Sequence, residues 1–360
     1  MIGKGEGKPV KQGIAKKHRP LLGAALLLAG AALLVLSFPK PAEARKTWFA
    51  MDTYITMTAW GKQPDAALEE AAGCIRELEG LLSVTDEKSD LYAVNHSNGE
   101  TVSVHRQTAD LLSFALEMAE KTGGALEPTL YPVLTAWGFT TEEKRVPAEK
   151  EIAELLTLVG YDNVVLDGNS VRLLPGMMLD LGAVGKGYAG DAAARLLRER
   201  GINSALLDIG GNIQAIGAKP DGSPWRLGLR DPFSEGTLGT LEISNLAVVT
   251  SGTYERYFTG DDGTAYGHIF DPTTGYPARS GLASVTVIAP EGRLCDALST
   301  ALFVMGPEKA AEFWRKDLSF DMLLVTEDGE IILTEGIAEK FALDSYHANM
   351  TVHILSTEKS

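Results

Sequence analysis

The order of short apolar runs and amphipathic segments is the feature that most constrains how this chain folds. Strand-like runs at Thr53–Trp60, Ala205–Ile209 and Ala283–Ile288 are interleaved with helical patterns such as Leu294–Met305. These runs do not follow the regular strand–helix–strand repeat of a doubly wound parallel sheet. The sequence therefore predicts an α+β fold.

Proline and glycine mark the ends of several other predicted elements. Pro64 lies near the start of a helical pattern, and Gly123-Gly124 ends a second helix over Thr108–Lys121. We also predict a charged amphipathic helix within residues 141–160 and a helix over Tyr188–Arg200. Asp167-Gly168 is typical of a two-residue hairpin turn.

The first 44 residues differ from the rest of the chain. Basic residues precede an apolar run over residues 21–38, and Ala42-Glu-Ala44 follows it. This pattern predicts an export signal, but the run approaches the ~20 residues of a membrane span, so a retained anchor stays open. The basic residues place the globular part outside the cytoplasm. No cysteine ends the run, which excludes a lipoprotein anchor.

We therefore expect an export signal or anchor over residues 1–44, one main domain over 45–345 and a C-terminal tail over 346–360. The net charge of −15 argues against a nucleic-acid partner. Cys74 and Cys295 are the two cysteines, and each lies in an apolar helical pattern. We interpret both as buried small side chains rather than as a disulfide, and no Cys/His spacing predicts zinc.

Asp180-Leu-Gly-Ala-Val-Gly-Lys-Gly187 is a glycine-rich segment between an apolar run and a predicted helix. Such a junction can present backbone N–H groups to an anion, and Lys186 adds a positive charge. A tight turn carrying a surface lysine explains the pattern equally well. The segment matches neither a P-loop nor a dinucleotide-binding fingerprint.

Asp296 and Thr300 form a second candidate site, because residues four apart share one face of a helix. A carboxylate and a hydroxyl suit Mg²⁺, although an aspartate near a helix N-terminus is the simpler alternative. Thr250–Arg256 is predicted to be a turn that carries Tyr254. Ser251 within it lacks the flanking glycines of a nucleophile elbow.

His268 lies in Tyr266-Gly-His-Ile-Phe-Asp-Pro-Thr-Thr-Gly-Tyr-Pro277. Pro272 and Pro277 fix φ and Gly275 permits positive φ, so a rigid turn is predicted beside the histidine. Alone, a histidine is more often structural than catalytic. Together with the other candidate sites, it indicates a phosphate-bearing ligand, a divalent cation and one base.

Several motifs occur in a defined order along the chain: Met51-Asp-Thr53; Leu82-Ser83 with Ser89 and Asn95; Gly124-Ala-Leu-Glu-Pro-Thr129; Leu179-Asp-Leu-Gly-Ala-Val-Gly-Lys-Gly-Tyr188; Leu207-Asp-Ile-Gly-Gly211; Thr250-Ser-Gly-Thr-Tyr-Glu-Arg256; His268-Ile-Phe-Asp-Pro-Thr-Thr-Gly-Tyr-Pro277; and Asp296-Ala-Leu-Ser-Thr-Ala-Leu302. With them the chain resembles the ApbE family over residues 48–335. The members of that family are FAD:protein FMN transferases.

The resemblance implies a T-fold-like α+β enzyme that binds FAD in a cleft between lobes. With Mg²⁺ such an enzyme moves FMN from FAD onto a Thr or Ser hydroxyl of a target protein and releases AMP. The resemblance assigns FAD contacts to Met51, Ala125, Leu126, Glu127, Asp180, Lys186, Tyr254 and Ile269. It assigns the metal to the Ala183 carbonyl, Asp296 and Thr300, and the catalytic base to His268, for which we expect a near-neutral pKa.

Three positions depart from the family pattern. Thr85 stands where an aromatic residue is common, Glu127 replaces an aspartate, and Ser299 replaces a second aspartate. The chain lacks a Ser/Thr-Gly-Ala-Ser/Thr acceptor segment, so the acceptor is expected to be another exported or membrane flavoprotein. An Mg²⁺-dependent FAD pyrophosphatase and a non-catalytic extracytoplasmic FAD-binding protein remain alternatives.

Overall fold

The computed structural model describes residues 41–141 and 143–357. Its helices are α1 (Pro64–Leu82), α2 (Asp90–Asn95), α3 (Arg106–Lys121), α4 (Tyr131–Ala136), α5 (Glu149–Leu156), α6 (Gly182–Glu199), α7 (Gly292–Met305) and α8 (Pro307–Lys316). Its strands are β1 (Ala42–Ala50), β2 (Thr53–Gly61), β3 (Val102–Ser103), β4 (Val165–Asp167), β5 (Ser170–Arg172), β6 (Ser204–Ile209), β7 (Asn212–Ile216), β8 (Trp225–Arg230), β9 (Thr237–Ile243), β10 (Ala247–Gly252), β11 (Tyr257–Thr259), β12 (Ala265–Gly267), β13 (Phe270–Asp271), β14 (Tyr276–Pro277), β15 (Leu282–Ala289), β16 (Asp321–Thr326), β17 (Ile331–Thr334), β18 (Phe341–Leu343) and β19 (Val352–Leu355).

A nine-stranded sheet forms the centre of the described chain, in the order β1-β2-β6-β7-β10-β15-β16-β17-β19. Its neighbouring strands are antiparallel except for β17 and β19, which run parallel. All eight residues of β15 are buried, because both faces of the sheet are covered at its centre. The predicted α+β class is confirmed.

Helices α1, α6 and α7 cover one face of this sheet, and a small sheet of β18, β9 and β8 covers the other. Apolar side chains of α1 and α6 pack on β1, β2 and β6. Side chains of β8 and β9 pack against β10, β15 and β16 on the opposite side. The burial of both sheet faces explains why several strands read as continuous apolar runs.

Helices α6 and α7 touch backbone to backbone at a pair of glycines. A Cβ added to Gly187 would lie 2.3 Å from the carbonyl oxygen of Gly292, and one added to Gly292 would lie 2.8 Å from the Gly187 carbonyl oxygen. Real Cβ atoms do not approach other atoms this closely. The glycines are therefore needed so that the two helices that carry Lys186 and Asp296 can approach each other.

The structure corrects three predictions of local structure and adds one strand that was not predicted. Helix α6 begins at Gly182 rather than Tyr188, so the glycine-rich segment is helical. Within residues 141–160 the helix is limited to Glu149–Leu156. Strand β1 was not predicted, because Lys46 lies on its covered face and Phe49 on its exposed face, so hydropathy does not alternate although burial does. Residues 346–360, predicted as a tail, include β19, which pairs with β17.

Two further predictions concern the cysteines and the membrane segment. Cys295 is buried and Cys74 half-buried, and both thiols are unpaired in the described chain. Burial of Cys295 is therefore confirmed, whereas Cys74 is only partly covered. The apolar run at 21–38 lies outside the described residues. Among the helices that are described, none is long and apolar enough to cross a membrane.

Candidate active site

The turn between β1 and β2 holds Met51 in an unusual backbone conformation. Met51 and Asp52 have φ values of 51° and 58°. The Met51 N–H donates to Oε1 of Glu79 at 2.6 Å, and the Arg256 guanidinium contacts the Asp52 carboxylate at 2.6 Å. Because non-glycine residues seldom adopt positive φ, these contacts from α1 and from the segment after β10 stabilise a strained turn.

The segment that contains Ala125, Leu126 and Glu127 is fixed by the Glu127 carboxylate. Its Oε1 accepts from the Thr129 N–H at 2.9 Å and from the Thr129 hydroxyl at 2.7 Å, and its Oε2 accepts from the Tyr161 N–H at 3.1 Å. Burial raises the pKa of Glu127, and these hydrogen bonds oppose the rise. The carboxylate therefore shapes this loop, a role that spacing did not predict.

Asp180 lies beside this segment and in front of helix α6. Its N–H donates to the Pro128 carbonyl at 2.8 Å, and its Oδ1 accepts from the Gly182 N–H at 2.6 Å. Burial raises the pKa of Asp180, while the Gly182 N–H and the positive charges of Lys186 and Arg256 lower it. The start of α6 thus places a carboxylate and two cations close together.

Asp296 on α7 is bound to helix α6 through the Gly187 N–H, which donates to Oδ2 at 2.8 Å. In a regular α-helix that N–H donates to the carbonyl of Ala183, so the bond places the carboxylate next to this carbonyl. Asp296 is 4% exposed, and burial raises its pKa against the opposing effects of Lys186, the Gly187 N–H and the Asn212 amide. Thr300 follows one turn later on α7.

Asp191 on α6 fixes the N-terminus of α7, which sequence spacing did not predict. Its Oδ1 accepts from the Gly292 N–H at 2.7 Å, and its Oδ2 accepts from the Arg293 N–H at 2.9 Å. The Gln214 amide donates to the same carboxylate at 2.8 Å. These N–H groups belong to the first turn of α7 and have no partner within the helix. Asp191 therefore helps to set the position of Asp296.

His268 lies between β12 and β13 and is half-buried. Its pKa is lowered to about 4, first by burial and then by the charges of Lys186 and Arg256, against the effect of a hydrogen bond with the Arg256 backbone. The expected near-neutral pKa is therefore wrong. The imidazole is uncharged at pH 7 and can accept a proton, and it lies in the field of the same Lys186 that acts on Asp180 and Asp296.

Thr250–Gly252 belongs to β10, so the predicted turn is confined to the residues that follow. Burial raises the pKa of Tyr254 to about 12, and the Arg230 guanidinium lies 4.6 Å from its ring centre. The Tyr254 hydroxyl thus stays protonated at neutral pH. The contact between Arg230 and Tyr254 was not predicted, because β8 is distant along the chain from Tyr254.

The Ser299 hydroxyl is bonded to other groups of the protein. It is fully buried, its hydroxyl lies 2.9 Å from the Ser251 hydroxyl, and it donates to the Asp296 carbonyl at 3.0 Å. Ser299 thus links α7 to β10. Because position 299 is a serine rather than an aspartate, Asp296 supplies the carboxylate on this face of α7.

The described residues contain no group of three or more His, Cys, Asp or Glu side chains that could hold a metal. The candidate site instead offers one charged oxygen group and two neutral ones: the Asp296 carboxylate, the Ala183 carbonyl and the Thr300 hydroxyl. Mg²⁺ commonly takes one or two carboxylates and keeps its other positions for water and substrate phosphate. A buried carboxylate whose pKa is raised also gains from a nearby cation. The donor set therefore fits Mg²⁺.

The comparisons with known proteins show the family and the fold of the chain. The model of the ApbE family matches residues 51–324. An FAD:protein FMN transferase of Treponema pallidum is 35% identical over 321 residues, which cover 83% of this chain and 88% of that protein. The structure of the ApbE protein of Thermotoga maritima gives a TM-score of 0.77 at 36% identity, covering 82% of this chain and 98% of that one. The apo flavinyl transferase ApbE of Pseudomonas stutzeri gives 0.77 at 29% identity, with 86% and 99% covered.

The fold and the grouped carboxylates, cations and imidazole define an α+β enzyme with a site suited to phosphate chemistry. The chain belongs to the ApbE family, as its motifs indicated.

Proposed function

We propose that this protein transfers FMN from FAD onto a Ser or Thr hydroxyl of a target protein and releases AMP. The observation that carries the proposal is that the charge of Lys186 acts on both His268 and Asp296, and that the Asp296 carboxylate is bonded to the Gly187 N–H of α6, next to Lys186. Its relatives in Treponema pallidum and Escherichia coli are named FAD:protein FMN transferases. The function is thus supported by the site and by the family.

The site residues have separate roles in this reaction. Lys186 and the N–H groups at the start of α6 bind the pyrophosphate and hold it for in-line attack. The acceptor oxygen forms a bond to the FMN phosphorus while the bond to the AMP oxygen breaks. His268 takes the proton of the acceptor hydroxyl, and AMP leaves with the bridging oxygen.

Mg²⁺ would be held by Ala183, Asp296 and Thr300. When bound, it would act as a Lewis acid and neutralise negative charge on the phosphoryl oxygens. We propose FAD contacts at Met51, Ala125, Leu126, Glu127, Asp180, Lys186, Tyr254 and Ile269. Support comes from three features of the structure: the Met51 turn lies near α6, the Glu127 loop is bonded to Asp180, and Ile269 is buried next to His268.

His268→Ala tests the assignment of the base. We expect the variant to bind FAD as the wild type does but to lose most of its transfer activity, because only the proton acceptor is removed. His353→Ala on the exposed strand β19 is the matched control and should transfer normally. Transfer by His268→Ala at the wild-type rate would remove His268 as the base.

We also propose an extracytoplasmic location, in the periplasm or at the cell surface, with residues 21–38 as export signal or membrane anchor. The support is the basic residues, the apolar run and the Ala42-Glu-Ala44 pattern in the sequence. The acceptor would then be an exported or membrane flavoprotein with a Ser/Thr-Gly-Ala-Ser/Thr segment. Protease treatment of cells with a permeable outer layer tests the location. A domain that stays fully protected from the protease in these cells would contradict it.

A further inference from the structure

His268 is carried by a segment with little regular structure of its own. The residues before it form β12, which pairs with β11 over three residue pairs, and the residues after it form β13, which pairs with β14 over two. Two-stranded hairpins of this size are marginally stable in water. The position of the imidazole must therefore depend on what these two hairpins pack against.

One fully buried side chain, Trp137, contacts both hairpins. Its ring centre lies 5.1 Å from that of Tyr266 and 5.6 Å from that of Phe270, the residues two before and two after His268. Its Nε1–H donates to the Gly275 carbonyl at 2.9 Å, and its ring lies 5.4 Å from Tyr276. The indole thus contacts the chain on both sides of the histidine and also bonds the turn between β13 and β14.

The other ring contacts extend the same cluster to β11. Phe258 lies 5.5 Å from Tyr266 and 5.6 Å from Phe139, and Phe139 lies 5.5 Å from Phe270. The Phe258–Tyr266 pair is stacked, the Phe139–Phe258 pair is tilted and the Phe139–Phe270 pair is edge-to-face. Aromatic pairs at these distances prefer particular geometries, so the cluster restricts the orientation of the hairpins. Trp137 is its centre, because it contacts Phe258, Tyr266, Phe270 and Tyr276.

We infer that Trp137 is a positioning residue for catalysis, which holds His268 in place by clamping the hairpins before and after it. Trp137 does not touch the reacting atoms; it acts through the backbone on either side of the imidazole. The inference rests on the proposed role of His268 as the base. A displacement of about 1 Å in a catalytic group can lower the rate about 100-fold, so the clamp has a measurable consequence.

The test compares Trp137→Leu, which removes the ring, with Trp137→Phe, which keeps an aromatic ring but loses the N–H donor. Trp314→Phe is the matched control, because Trp314 is also buried and its Nε1–H also donates to a backbone carbonyl, that of Phe320, at 2.9 Å. Trp314 belongs to α8 and packs in a different core cluster from Trp137. The measurements are kcat, KM for FAD and the pH dependence of kcat/KM.

We expect Trp137→Leu to lower kcat by about 100-fold while KM for FAD changes by less than about threefold. Trp137→Phe should recover a large part of this loss, and Trp314→Phe should leave kcat unchanged even where it lowers the melting temperature. The acid limb of kcat/KM should also move upward in Trp137→Leu, because a displaced imidazole is exposed to water and moves further from Lys186 and Arg256.

Wild-type kcat in a folded Trp137→Leu enzyme would overturn the inference, and so would a loss of kcat in Trp314→Phe as large as the loss in Trp137→Leu. His268→Ala, assayed in parallel, separates this failure from that of the proposed function. If His268→Ala loses transfer while Trp137→Leu does not, the positioning role of Trp137 is wrong and His268 remains the proposed base. If His268→Ala keeps transfer, the base assignment itself is wrong.

Discussion

Replacing Gly187 by alanine should disrupt the site by separating helices α6 and α7. The added Cβ would lie 2.3 Å from the Gly292 carbonyl oxygen and 2.7 Å from the Arg293 nitrogen. These are backbone atoms, so no side-chain rotation relieves the contact. To reach ordinary van der Waals separation of ~3.5 Å, one helix must retreat by about 1 Å.

A retreat of this size breaks the hydrogen bond from the Gly187 N–H to Asp296, because its present length of 2.8 Å would pass the usual limit of ~3.2 Å. Overpacking costs about 1–3 kcal/mol and the loss of a hydrogen bond to a charged group about 1.5–3 kcal/mol. The better helix propensity of alanine returns about 1 kcal/mol. We therefore expect a loss of about 2–5 kcal/mol in the free energy of unfolding.

The assay combines urea denaturation with the Mg²⁺ dependence of flavin transfer. Because Asp296 is displaced, the Mg²⁺ concentration for half-maximal rate should rise by about tenfold or more, which corresponds to at least ~1.4 kcal/mol. Gly80→Ala in α1 is the control, since its added Cβ meets nothing within 4 Å, and it should be as stable as the wild type or slightly more so. A Gly187→Ala protein with unchanged stability and Mg²⁺ dependence would refute the reasoning.

Four further predictions address individual side chains. Asp296→Ala should lower transfer activity and also make that activity less dependent on Mg²⁺. An Mg²⁺ titration identical to that of the wild type would contradict the metal assignment. Because His268 has a pKa of about 4 and acts when neutral, kcat/KM for FAD should stay level as the pH falls through 6.5 and decline only near pH 4; a decline centred at 6.5 would contradict this. Asp191→Ala should raise the Mg²⁺ concentration required, whereas Asp191→Asn, which can still accept hydrogen bonds, should raise it less; equal effects would argue against positioning of α7 by these bonds. Thr85→Tyr supplies a ring at an exposed position and should tighten FAD binding by about tenfold through stacking, as measured by calorimetry; unchanged affinity would place Thr85 away from the ligand.

Local patterns predicted those parts of the site that depend on neighbours along the chain. The i,i+4 relation of Asp296 and Thr300 is present in α7, and the turn between β13 and β14 has Gly275 at a φ of 70°. In each case the relevant physics, helical periodicity or the backbone preferences of proline and glycine, acts within a few residues. Such features can be derived without knowledge of the fold.

Features that depend on tertiary packing were not predictable in this way. Glycines 182, 185 and 187 suggested a turn, because glycine is a poor helix former, but the structure has a helix there, in which Gly187 packs closely against Gly292. The lowered pKa of His268 arises from burial and from cations distant along the chain. The contacts of Asp191 with α7 and of Arg230 with Tyr254 likewise join separate elements. No local pattern encodes these pairings.

Mass spectrometry of an acceptor protein tests the central claim most directly. The purified protein is incubated with FAD, Mg²⁺ and a domain that carries a Ser/Thr-Gly-Ala-Ser/Thr segment, and the intact mass of that domain is then measured along with the small-molecule products. We predict that the acceptor gains the mass of one FMN group and that AMP appears in equal amount, with neither change in the His268→Ala reaction. Free FMN with AMP and an unmodified acceptor would indicate a pyrophosphatase, intact FAD would indicate a binding protein, and either result would contradict the transferase.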